Sequence, residues 1–170
     1  ALRGLCGPRT LAVLPTHLAG RVADVADAVD AARACGAWVI EDAAQGLGAR
    51  VDGRSVGLRG DIGFFSLAAG KGLSLYEGGV LVSADPALRA LLAEEAARVP
   101  SSAGWELRRS AELLGLALAY RPRALALAYG LPLRRALERG DPEAAVGDVF
   151  GPEIPLHRVG AWRRMVGVHA

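Results

Sequence analysis

Lysine is almost missing from this sequence of 170 residues: among 20 basic side chains Lys71 is the one lysine, and arginine stands at every other basic position. Excess charge of one sign is missing as well. A net +2 at pH 7, with arginines in short pairs such as Arg108-Arg109, Arg134-Arg135 and Arg163-Arg164, offers no basic stripe. No nucleic-acid partner is expected. Two cysteines, Cys6 and Cys35, are too few and too isolated for a disulfide framework or a zinc site, so a reducing, cytoplasmic compartment is expected. His17, His157 and His169 lack ligand spacing; each reads as a loop or surface histidine, and no metal is predicted. The longest apolar run, Leu113 to Tyr120, is cut by Arg121-Pro122-Arg123 short of the ~20 residues that span a bilayer. No membrane segment is expected. Ala1 to Thr10 has neither the charged start nor the apolar centre of a signal peptide, and without an initial methionine the sequence reads as a fragment.

What is present suits a folded core. A composition of 52% hydrophobic and 22% charged residues allows one or two small domains. Leu11 to Pro15 is an apolar run of the kind buried in a parallel sheet. From Val22 to Cys35, Val22, Val25, Ala26, Val29 and Ala32 recur at helical spacing, with aspartates opposite and Gly36 as a stop. Ala37 to Ile40 follows as a strand, completing a right-handed crossover unit. Ala49 to Gly57 reads as a hairpin or loop turning at Asp52-Gly53, Asp61 to Ser66 as a third strand, and Val80 to Ser83 as a fourth. Asp85-Pro86 opens a helix to about Arg98. Beyond Pro100, Trp105 to Tyr129 suggests one or two helices broken near Pro122, Asp141 to Pro155 a loop, and His157 to Val168 a last short helix.

Lys71 sits between two glycines just after an apolar strand. Arginine cannot lose its proton near neutral pH, whereas a lysine amine can become nucleophilic, so Lys71 suits amine chemistry or phosphate binding. A P-loop is excluded by spacing, because Phe65 stands where its first glycine belongs and Gly72 where Ser or Thr should follow the lysine. Acid/base hydrolysis by Glu41 and Asp42 is disfavoured, since adjacent strand residues point to opposite faces. Asp42 can equally be the N-cap of a following helix. A cofactor carrying an aldehyde, a protonated pyridine nitrogen and a phosphate needs an amine, a buried carboxylate and hydroxyl donors at strand ends. Lys71, Asp42 and Ser66 meet those needs, which describes pyridoxal phosphate.

The order Glu41-Asp42-Ala43-Ala44-Gln45-Gly46-Leu47-Gly48-Ala49, Gly57-Leu58-Arg59-Gly60-Asp61, Phe65-Ser66, Lys71 and Glu77-Gly78-Gly79 resembles the DegT/DnrJ/EryC1/StrS family of sugar aminotransferases, densely from Arg9 to Arg89. The resemblance implies a three-layer α/β sandwich with a mostly parallel sheet: part of the large domain of fold-type I pyridoxal-phosphate transferases. Residues 1–100 would be the central part of that domain and 101–170 a helical segment leading toward an incomplete small C-terminal domain. It further implies that Lys71 forms the internal aldimine and then carries protons, that Asp42 pairs with the pyridinium nitrogen, that Gln45 bonds the ring hydroxyl and that Ser66 binds the phosphate. The activity implied is transfer of an amino group, from glutamate, to a nucleotide-linked keto-sugar, by a homodimer of the full-length protein. The alternative is a truncated, non-catalytic chain serving as a structural piece. Three departures stand out: Ala69 replaces the family's proline and Tyr76 its glycine, so the loops around Lys71 are expected to be shaped differently, and the asparagine stretch that reaches a neighbouring subunit is not visible after Pro100.

Overall fold

A computed structural model of the chain describes residues 2–141 and 156–169. They form two compact units, residues 1–99 with 161–170, and residues 100–160.

The first unit is built on four strands in the order β1-β2-β5-β6: β1 is Ala12–Val13, β2 Trp38–Asp42, β5 Ile62–Ser66 and β6 Gly79–Val82. β1 and β2 run parallel, β2 and β5 parallel, and β5 and β6 antiparallel, so the sheet is mostly parallel, as expected. The crossover between β1 and β2 is helix α1, Val25–Arg33, which starts three residues later than its apolar spacing suggests. Asp24 explains the delay: its side chain accepts the Asp27 N–H and so caps the helix there. Val25, Ala28, Ala31 and Ala32 of α1 are buried, and Val25 and Ala32 form a core with Ala37 and Val39. β2 runs two residues beyond the predicted end, through Glu41 and Asp42, because Asp42 donates its N–H to Pro15 O and accepts the His17 N–H.

Between β2 and β5 lies the predicted hairpin, β3 (Arg50–Val51) and β4 (Arg54–Ser55). Its turn residues Asp52 and Gly53 both have positive φ, 50° and 76°, the geometry of a tight primed turn. Ala43, Val56 and Phe65 make a second core cluster beneath it. After β6, Asp85 caps helix α2, Pro86–Arg98, by accepting the Ala87 and Leu88 N–H groups.

In the second unit, α3 spans Ala103–Ala119 with Ser102 as its cap. The break at Pro122 is present, but the helix does not stop at Tyr129. Instead α4, Pro122–Leu125, runs through a π turn at Ala126–Gly130 into α5, Leu131–Glu138. In a regular helix the Pro132 ring would collide with the carbonyl four residues back; the wider π turn, closed by Leu131 N–H to Ala126 O, stands just before it. Most of the predicted Asp141 to Pro155 loop lies outside the described residues. The last helix, α6, covers Ala161–His169 and belongs with the first unit. Among the described residues no helix is long and apolar enough to cross a membrane.

Candidate functional site

Asp42 ends β2 at the carboxyl edge of the sheet, and its backbone is held from both sides. Pro15 O accepts its N–H at 3.0 Å, its own carbonyl accepts the His17 N–H at 2.9 Å, and Ala43 N–H bonds Phe64 O at 3.0 Å. Asp42 pairs in register with Phe64, and strand alternation then puts Asp42, Phe64 and Ser66 on one half-buried face. A carboxylate and a hydroxyl therefore share a face at the carboxyl ends of neighbouring parallel strands, where ligands of such sheets collect. No helix follows Asp42. Its Oδ1 accepts the Ala44 N–H at 3.0 Å and starts a turn instead of capping a helix. Gln45 lies in that turn with Oε1 accepting the Ala19 N–H at 3.2 Å.

Ser66 Oγ accepts the Ala68 N–H at 3.3 Å, leaving its own O–H to donate. The chain then makes a loop closed at its base by Leu67 N–H to Gly78 O (2.9 Å), Ala69 N–H to Tyr76 O (3.0 Å) and Leu75 N–H to Leu67 O (2.9 Å). Half-buried Lys71 lies inside this loop, its own N–H turned back to Ala68 O at 3.2 Å. None of the four residues hydrogen-bonds another; Asp42 and Ser66 share a face, while Gln45 and Lys71 lie on adjoining loops. As a donor set they fit a pyridoxal phosphate. Among the described residues Asp42 Oδ2, the Gln45 amide nitrogen and Lys71 Nζ have no protein partner, so they can serve a ring nitrogen, a ring hydroxyl and an aldehyde carbon.

Tyr76, where the resembling family has glycine, has φ of 71°. It takes the left-handed conformation that glycine adopts freely, so the tyrosine strains the loop where a glycine would not. Such a conformation costs an ordinary residue about 1–2 kcal/mol, partly offset by the ~0.5–1 kcal/mol that glycine's extra unfolded-state freedom costs. Tyr76→Gly should therefore raise stability by about 0.5–1 kcal/mol, seen as a higher urea midpoint at unchanged slope. A lower midpoint would show that the tyrosine's side-chain contacts outweigh its strain.

The residues that sequence reasoning passed over lie on the opposite face of β2. His17 lies in a loop, one of the two places expected for it, but is buried there, 3% exposed. Its Nδ1 accepts the Ala23 N–H at 3.1 Å, which leaves the ring hydrogen on Nε2, 3.1 Å from Glu41 Oε2. Glu41 is fully buried and also accepts N–H groups from Gly57 (2.9 Å), Arg59 (2.5 Å) and Gly60 (2.6 Å). Burial alone would push its carboxyl up, but the N–H groups of Gly60 and Gly57, the His17 ring and Arg59 N–H outweigh it and hold the carboxyl below its ordinary range. The pair ties β2 to the 16–23 and 57–60 loops, and so steadies the strand end that presents Asp42. A glutamate on the buried side of an apolar strand, with Gly57 and Gly60 downstream, was the available signal for this hub. Nothing local marked His17.

A surface depression lined by Leu5, Gly7, Pro8, Arg9 and Thr10 includes none of these residues. Among the described residues no cluster of His, Cys, Asp or Glu could hold a metal ion.

A family model described as the DegT/DnrJ/EryC1/StrS aminotransferase family matches residues 1–121. The chain is 45% identical over 82 residues to a UDP-N-acetyl-3-dehydro-alpha-D-glucosamine 3-aminotransferase of Acidithiobacillus ferrooxidans, covering 48% of this chain and 22% of that protein. To the L-glutamine:2-deoxy-scyllo-inosose aminotransferase of Streptomyces kanamyceticus it is 34% identical over 122 residues, 68% of this chain and 29% of the relative. Among solved structures, the aminotransferase TlmJ from Streptoalloteichus hindustanus matches with TM-score 0.50 and 36% identity, over 54% of this chain and 25% of that one. The chain thus spans less than a third of the length of each of these proteins.

Proposed function

The chain belongs to the DegT/DnrJ/EryC1/StrS aminotransferase family, and from that membership we propose that it is the central part of a pyridoxal-phosphate enzyme that transfers an amino group to a nucleotide-linked keto-sugar. One arrangement carries the reading: the sole lysine lies in a loop closed directly after the strand whose last residue, Ser66, shares a face with Asp42. When bound, pyridoxal phosphate supplies an electron sink for the substrate carbon from which a proton is lost. Lys71 Nζ holds the cofactor covalently and later moves that proton. The Asp42 carboxylate accepts the ring nitrogen's hydrogen and keeps it in place, the Gln45 amide donates to the ring hydroxyl, and Ser66 O–H donates to the phosphate.

In the same reading residues 1–100 are the central part of the large domain. The segment from 101 leads toward the small domain, with α6 returning to the first unit. The full-length protein is a cytoplasmic homodimer using glutamate as amino donor, and its other substrate is the nucleotide-linked sugar.

The test is an absorbance titration of the chain with pyridoxal phosphate, followed by borohydride reduction and peptide mapping. Stoichiometric pyridoxyl label on Lys71, lost in Lys71→Ala, is expected. Label confined to the N-terminal amine would sink the reading for this chain and favour a non-catalytic piece.

A further inference from the structure

Arg163 is among the most deeply buried side chains of the first unit, 1% exposed, although a guanidinium is costly to take out of water without partners. It lies on α6, beyond the stretch matched to the family. Its Nη1 donates to Leu75 O and its Nη2 to Glu77 Oε1, both at 3.4 Å. Both acceptors belong to the loop that carries Lys71. Gly167, four residues further on and so on the same helix face, meets the loop as well: a Cβ there would lie 3.1 Å from Leu75 Cδ1. Leu75 itself is 3% exposed, and its N–H closes the loop on Leu67 O. The helix therefore presses on one short segment at two points, and the fork of Arg163 holds the return arm of the lysine loop, spanning a backbone carbonyl and a carboxylate as only a planar, multi-donor cation can.

We propose that Arg163 is a positioning residue for Lys71: acting through Leu75 and Glu77, it fixes the loop from which the amine is presented. This rests on the reading of Lys71 as the cofactor-attaching amine. The consequence is that α6, outside the matched stretch, is needed for an ordered lysine loop, while the strands below it are not dependent on it.

Amide hydrogen exchange of the whole chain tests this without cofactor. In Arg163→Met, which keeps the apolar stem but removes fork and charge, the Ala69 and Leu75 amides should exchange at least about tenfold faster, while Phe65 and Val80, paired in the β5–β6 ladder, change less than about twofold. Arg163→Lys, able to reach one acceptor, should recover part of the protection. The rate at which a small anhydride acylates Lys71, read by peptide mapping, should shift at least about threefold in Arg163→Met and move back in Arg163→Lys, a readout that mere helix docking would leave alone. If Arg163→Met loosens β5–β6 as well, Glu77→Gln decides: faster exchange confined to the loop supports the brace, and unchanged exchange overturns it. Unchanged loop exchange and acylation in Arg163→Met overturn the brace while a Lys71 label in the wild type keeps the proposed function. An unlabelled wild-type Lys71 removes the proposed function whatever the exchange shows.

Discussion

Glu41→Ala is expected to cost the first unit about 3–5 kcal/mol, because one buried and two part-buried N–H groups and the His17 ring lose a common acceptor at once. Each abandoned donor costs about 1–3 kcal/mol, and the total stays below the sum because water reaches part of the space left behind. Glu41→Gln should cost less but still more than 1 kcal/mol, roughly, since its amide nitrogen turns one donor against another. The same carboxyl governs acid sensitivity. Its folded-state pKa is depressed, so its stabilisation is fully present above the ordinary glutamate value of about 4.3 and is lost as pH falls through the lower folded value. Asp61 acts in the same direction: burial pushes its carboxyl up, but hydrogen bonds from Arg33 and Val39 N–H, with the charge of Arg33, bring it below the ordinary range. Urea unfolding between pH 7 and pH 3 should therefore show a falling midpoint that is shallower in Glu41→Gln. A Glu41→Ala protein within 1 kcal/mol of wild type, roughly, would remove the hub from the account.

Gly63→Ala should be as damaging for a steric reason. A Cβ on Gly63 would lie 2.1 Å from Gly57 O, 2.5 Å from Gly57 Cα and 2.6 Å from Gly57 C. The obstacle is backbone, with no flexible side chain to swing aside, so the loop itself must move. That loop is the one whose Gly57 N–H bonds Glu41, and displacing it weakens the hub as well. A loss of at least about 3 kcal/mol is expected, at the upper end of what overpacking produces. Because both substitutions act on Gly57, the double variant Glu41→Ala/Gly63→Ala should lose clearly less than the sum. Additive losses would mean that the two sites are independent. Whole-chain chemical denaturation, with Tyr76→Gly as a control that shifts the other way, resolves the three.

Much of this was legible in the chain itself. The α1 spacing apart from its first turn, the Asp52-Gly53 turn, the Asp85 cap and the alternation of strands with a helix along the chain follow from short-range chemistry. Lys71 could be singled out from composition alone, and Asp42 and Ser66 from their places at strand ends. The run from α4 through the π turn into α5 was not legible, because proline spacing alone does not say whether a helix stops or widens around the ring.

By itself, the sequence determined the alternation of strand and helix, the carboxylate, hydroxyl and amine of the proposed site, and the family pattern, since all are properties of residue type and local spacing. Only the tertiary structure decided what those residues stand on. That His17 is buried against Glu41, that Gly63 must be bare to let Gly57 pass, and that Arg163 reaches back to the lysine loop are contacts between segments far apart in the chain. No local period encodes such pairs; they exist because burying a polar group demands a partner, and the fold alone determines which distant segment supplies it.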